Sequence, residues 1–119
     1  MPTEPEPLTV AGAVRRAAEA VDPDAGDDMV ADFLSRFEDR DEPIRAVADL
    51  EQQVAEAVAA IDPEGDDPAL TMAGAVVTYL AFRRNEAGAD DERLLRLAAD
   101  AEFDGHPPAN VVAWLSGAS

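Results

Sequence analysis

The sequence predicts an all-α protein, a six-helix bundle built from two tandem three-helix repeats related by pseudo-twofold symmetry. Three observations lead there. Apolar residues recur three and four positions apart through six successive segments, which is the period of an amphipathic helix. No segment alternates apolar and polar residues with the period of two that a half-buried strand requires. A heptapeptide, Leu8-Thr9-Val10-Ala11-Gly12-Ala13-Val14, returns as Leu70-Thr71-Met72-Ala73-Gly74-Ala75-Val76, identical at six of seven positions with an offset of 62.

Beyond the heptapeptide, Ala25-Gly26-Asp27-Asp28 recurs as Ala87-Gly88-Ala89-Asp90-Asp91 with one residue inserted. Pro43, Val47, Ala48 and Leu50 align with Pro108, Val112, Ala113 and Leu115. The expected organisation is a disordered tail over residues 1–7 and one all-α domain over 8–117, with one repeat over about 8–61 and the other over about 70–117.

In the first repeat, Thr9 is a natural N-cap for a helix over about Val10 to Val21, whose apolar stripe is Val10, Ala13, Val14, Ala17, Ala18 and Val21. Asp22-Pro23-Asp24-Ala25-Gly26 breaks it, and Asp27 or Asp28 caps a second helix running to about Asp39 through Met29, Val30, Phe33, Leu34 and Phe37. Asp41-Glu42-Pro43 reads as a start signal with proline at the first helical position. The spacing of Ile44, Val47, Leu50, Val54, Val58 and Ile61 predicts one continuous third helix from Pro43 to Ile61. Such a helix would be roughly 28 Å long, and its far half, from Val54 onward, would need a surface from the second repeat or from a second chain.

In the second repeat, Thr71, or Asp67 ahead of Pro68, opens a helix to about Arg84 that is apolar nearly all round and therefore central. Asn85-Glu86-Ala87-Gly88 stops it. Asp90 or Asp91 caps a fifth helix through Leu94, Leu95, Leu97, Ala98 and Ala101. After Gly105-His106-Pro107-Pro108, a short sixth helix to about Leu115 carries Val111, Val112 and Trp114. Gly12 and Gly74, at matching places, point to close helix–helix approach in both repeats.

Charge is the loudest compositional feature. The chain of 119 residues has 26 acids against nine arginines, no lysine, and a formal net charge of −17. Like charge at this density opposes compaction at ordinary ionic strength, whereas in molar salt the screening length falls to about 3 Å. An acidic, lysine-free surface of this kind resembles those of proteins that work in very high salt. It disfavours direct nucleic-acid binding, which needs clustered cations, although acids gathered on one face could instead mimic a nucleic-acid backbone. The uncharged run from Ala69 to Phe82 is shorter than the about twenty residues of a membrane span, and the acidic N-terminus lacks the pattern of a signal peptide. A cytoplasmic protein without a membrane role is expected.

No residue constellation here carries chemistry. With no cysteine there is neither a disulfide nor a thiolate metal site. The turn beginning at Asp22 resembles a calcium loop only at its opening, since Phe33 stands at the twelfth place where a bidentate glutamate is required; the turn beginning at Asp62 places Ala73 there. His106 is the only histidine and lies in a turn. Neither catalytic residues, a metal nor a cofactor is expected.

The expected role is that of a small, non-catalytic interaction protein adapted to high salt, binding a protein partner or a second copy. The residues expected to meet a partner are Arg36 and Arg40 beside the stripe of the second helix, Val54, Val58 and Ile61 on the third, and Trp114. Two alternatives are a nucleic-acid mimic or antitoxin-like inhibitor, and an enzyme using a carboxylate pair.

Overall fold

A computed structural model describes residues 8–83 and 90–117. The tail over 1–7 and the expected stop at Asn85-Glu86-Ala87-Gly88 lie outside the described residues. Within them the chain is all-helical, with six α-helices: α1 (Val10–Val21), α2 (Asp28–Phe37), α3 (Leu50–Ile61), α4 (Pro68–Phe82), α5 (Asp91–Phe103) and α6 (Ala109–Gly117). A 3₁₀ turn, Ile44–Ala46, precedes α3, and the described residues form no strand beyond one isolated bridge between Thr9 and Pro43.

Helices α1, α2, α4 and α5 start where a short polar side chain takes up their first amide groups; Asp49, ahead of α3, makes no such bond. Thr9 Oγ1 accepts from the Gly12 N–H at 2.9 Å. Asp27 accepts from Met29 and Val30, and Asp67 from Ala69 and Leu70, with Pro68 at the start of α4. Asp90 accepts from the Arg93 N–H.

The turns α1–α2 and α3–α4 are built alike. Asp22 ends α1, and its carboxylate receives the N–H groups of Gly26 and Asp27 at 3.0 and 2.9 Å. Asp62 ends α3 and receives those of Asp66 and Asp67 at 3.1 and 2.8 Å. The third residue after each aspartate has positive φ, 54° at Ala25 and 69° at Gly65. Glycine takes this conformation freely, while alanine there is strained. Asp62 is only 6 % exposed, so its two accepted bonds are what make its burial tolerable.

The expected continuous helix from Pro43 to Ile61 is corrected. Val47 is extended (φ −101°, ψ 102°), and α3 begins only at Leu50. The cause is long-range. The Val10 and Ala11 N–H groups at the start of α1 donate to the carbonyls of Glu42 and Arg40, and the Ile44 N–H donates to the Leu8 carbonyl at 2.8 Å. The segment 40–44 thereby serves the first turn of α1 instead of extending α3.

Helix α4 packs on all five other α-helices, as its all-round apolar sequence predicts. Leu70, Met72, Ala73, Val76, Val77 and Leu80 are fully buried on it. Helix α1 packs on α2, α4 and α5, burying Val10, Ala13, Val14 and Ala17 completely.

The two glycines that suggested matching close approaches differ in their surroundings. A Cβ on Gly74 would stand 3.1 Å from Val58 Cγ2 and 3.3 Å from Val54 Cγ1, so the missing side chain is what lets α3 lie close on α4. A Cβ on Gly12 would meet Thr9 Oγ1 and Leu8, its own helix start. The registers differ as well: Thr9 caps α1, whereas Thr71 lies within the first turn of α4, behind the cap Asp67.

Candidate functional site

Because α4 carries only small residues, Thr71, Gly74, Ala75 and Thr78, along the face between α3 and the end of α5, the two flanking helices leave a groove of about 400 Å³. Val54, Ala55, Val58 and Ala59 of α3 form one wall, Phe103 of α5 contributes to the other, and the α3–α4 turn closes one end through Asp62, Pro63, Glu64 and Gly65. Ala55 and Ala59 are exposed, Val58 half-buried and Val54 buried. The lining is therefore a shallow apolar channel open to solvent.

Two carboxylates, Glu51 in the first turn of α3 and Glu102 in the last turn of α5, also line it. An acid at the C-terminal end of a helix meets the negative pole of the helix dipole, so Glu102 sits where a negative charge is disfavoured. Its pKa is raised, first by burial at the groove and second by the charge of Glu51. Among the described residues no arginine lines the groove.

A second groove, about 580 Å³, lies between the end of α1, the first half of α5 and the end of α6, with Val21, Leu95, Trp114 and Leu115 forming its apolar surface and Asp91, Glu92 and Arg96 among its polar residues. Nearby, Arg16 of α1 pairs with Asp91 at 2.8 Å. A third feature is a concave junction where Gly26 to Met29 of one acidic turn meet Asp66 and Asp67 of the other.

At that junction the caps of α2 and α4 face each other, and the Asp67 carboxyl is pushed up to about 6. Burial is the main cause, followed by its hydrogen bond with Asp27 and the charge of Asp27; the N–H groups of Leu70 and Ala69 pull the other way. Since this folded value lies above the ordinary carboxylate value, the folded chain holds the proton more tightly than the unfolded chain. The contribution to stability is thus fully present below about pH 4 and is lost as pH rises through about 6. Asp27→Asn keeps a competent cap and removes one charge. After allowance for solvent screening it is expected to raise the unfolding free energy by about 0.5 kcal/mol at pH 7.5. Urea titrations in molar KCl should show that gain at pH 7.5 and none at pH 4.5.

Of the residues expected to meet a partner, the structure brings together Val54 and Val58, which line the first groove. Ile61 is half-buried against the core. Arg36 is exposed and pairs with Asp32 at 3.3 Å. Arg40 is half-buried, bonded to Glu42 at 2.7 Å, with its guanidinium 5.9 Å from the Phe37 ring centre. Both arginines belong to α2 and its C-terminal side, outside both grooves. Trp114 is half-buried in the second groove. Glu51, Glu102, Ala55, Ala59 and Phe103 are groove residues that the sequence reading did not single out. The one signal available was the small residues Ala55 and Ala59 four apart on a stripe of larger ones.

His106 is exposed in the α5–α6 turn. Among the described residues no three of His, Asp and Glu are placed to hold a metal ion, and no helix is long and apolar enough to cross a membrane. No protein-family profile, curated protein or solved structure matches the chain.

Proposed function

We propose that this protein is a non-catalytic interaction protein, adapted to high salt, that takes a helical segment of a partner protein into the groove between α3, α4 and α5. The observation that carries the reading is the groove itself: an open channel with apolar walls, floored by residues small enough to admit the side chains of a docked helix. Helix-in-groove recognition needs that combination of an apolar trough and a rigid frame, and α4, held by five neighbours, supplies the frame.

A second reading, carboxylate chemistry, draws on the raised pKa of Glu102 beside Glu51. The interaction reading is preferred because both side chains open to solvent, Glu102 being only partly desolvated at the groove, and acid–base work needs an acid and a base held in unlike environments around a reacting group.

The absence of cysteine from the sequence makes a direct test available. Ala59→Cys places a unique thiol in the groove, and Ala46→Cys places one on an exposed site outside it. Each is coupled to a photo-cross-linker and exposed to host extract in its own salt. The groove thiol is expected to give one defined adduct that excess unlabelled protein competes away, and the control thiol is not. Equal labelling from both positions, or no defined adduct, would overturn the reading; an adduct with a second copy of the chain would replace the partner by a homodimer.

We also infer that the bundle descends from a duplicated three-helix unit. Support comes from the repeated heptapeptide, from α1 and α4 being mutual partners, and from α1 touching α5 while α4 touches α2, the reciprocity of a pseudo-twofold arrangement. The different cap registers of α1 and α4, and the packing of both α3 and α6 on α4, are where the copies would have diverged.

A further inference from the structure

We propose that the α3–α4–α5 groove is selective for a basic amphipathic helix of a partner protein, and that it holds one lysine or arginine of that helix between Glu51 and Glu102. This rests on the groove being the docking site, and it adds the chemistry of the occupant.

Charge complementarity carries it. Glu51 and Glu102 come from different helices, lie along the same trough, and act on one another as like charges. Among the described residues no arginine lines the groove to relieve them. A cation placed between the two carboxylates adds two attractions that outweigh their mutual repulsion, and it also offsets the unfavourable pole of α5 at Glu102. The same trough offers apolar contact from Val58 and Phe103, which suits the methylene stem of a long basic side chain whose head stays in water. Other occupants fit poorly. The chain's own segment Met1 to Pro7 brings Glu4 and Glu6 and no lysine or arginine side chain, and a second copy brings a formal charge of −17.

The background field of a protein with that charge would attract any basic peptide in dilute buffer, so the test belongs in molar salt. At about 1 M the screening length is about 3 Å, and only cations in contact with a carboxylate retain their attraction. The probe is a fluorescein-labelled amphipathic helical peptide with leucines at positions i, i+3, i+4 and i+7 and lysines flanking that stripe, compared with a twin in which every lysine is glutamine. Anisotropy titrations use the full chain in 1 M KCl, with helicity of every variant checked by circular dichroism. The lysine peptide is expected to bind roughly fivefold more tightly than its twin, the scale of one exposed pair. Glu51→Gln with Glu102→Gln should erase that difference. Glu19→Gln with Glu38→Gln, which removes two exposed acids elsewhere, should leave it intact. Ala59→Trp, which fills the trough, should weaken both peptides at least tenfold.

If the two peptides bind equally and Ala59→Trp weakens both, docking in the groove survives and selection for a cation is overturned. If the Glu19 and Glu38 pair of substitutions has the same effect as the groove pair, the attraction is to net charge and the proposal falls. If neither peptide binds the unaltered chain, both the docking site and its selectivity are overturned.

Discussion

Transferring this protein from 2 M to 20 mM KCl is expected to cost it several kcal/mol of stability, a fall in Tm on the order of 10 °C or more, with visible loss of helical circular dichroism. The driving term is self-repulsion among 26 acids opposed by only nine arginines. At 20 mM the Debye length is about 20 Å, longer than the 13.6 Å radius of gyration, so acids repel one another across much of the molecule; at molar salt it is about 3 Å and each feels little beyond its contacts.

The opposing term is modest. Many of the fully buried positions are alanines, among them Ala13, Ala17, Ala73 and Ala98, and a buried alanine contributes far less apolar area than a leucine or phenylalanine. Local ion pairs do not close the gap. Arg36–Asp32 and Arg96–Glu92 are exposed pairs one turn apart, each worth a few tenths of a kcal/mol. Net stabilities of domains are only about 5–15 kcal/mol, so an unscreened field is large against the margin. Replacing the exposed acids Glu19, Glu38 and Asp39 by their amides should move the salt midpoint downward. A melting temperature unchanged between 20 mM and 2 M KCl would remove the high-salt reading altogether.

How far the sequence could be read depended on whether an element's determinants were local. Helix α1 was legible to the residue, because its cap Thr9, its stripe and its stop at Asp22-Pro23 all lie within its own segment. For the other caps the local sequence narrowed the choice to two, Asp27 or Asp28, Thr71 or Asp67, and Asp90 or Asp91, and the helices begin behind Asp27, Asp67 and Asp90. The start of α3 was not legible. Pro43 carries the local signature of a helix start, and nothing nearby reveals that Val10 and Ala11, more than thirty residues earlier in the chain, claim the carbonyls of Glu42 and Arg40. Tertiary demand for those carbonyls overrides local preference.

The groove divides in the same way. Val54 and Val58 are visible as members of an apolar stripe, and the small residues of α4 as a low face. That Glu51 and Glu102 line one groove depends on where the end of α5 lies across α4, which no local pattern encodes. Gly74 shows the limit of repeat logic: it and Gly12 share a heptapeptide, yet one admits α3 and the other sits beside its own cap.

The largest effect of a single substitution is expected at Phe33. Phe33→Ala should lower the unfolding free energy by about 3–5 kcal/mol, measured by urea titration in 2 M KCl. Helix α2 is held by only three buried side chains, Val30, Phe33 and Phe37. Phe33 is 0 % exposed and meets the Phe37 ring edge to face, with centroids 5.3 Å apart and planes at 65°, a geometry that adds to the area it buries. Its removal opens a cavity where α2 packs on α1, α3 and α4. Phe82 provides the internal control. It is the same residue type, 75 % exposed at the end of α4, and Phe82→Ala should change stability by no more than about 0.5 kcal/mol. Because α2 contributes nothing to the lining of the α3–α4–α5 groove, Phe33→Ala should bind the lysine peptide normally in salt strong enough to keep it folded. Similar stability losses for the two phenylalanines would mean that α2 does not seat its apolar face on the bundle as described.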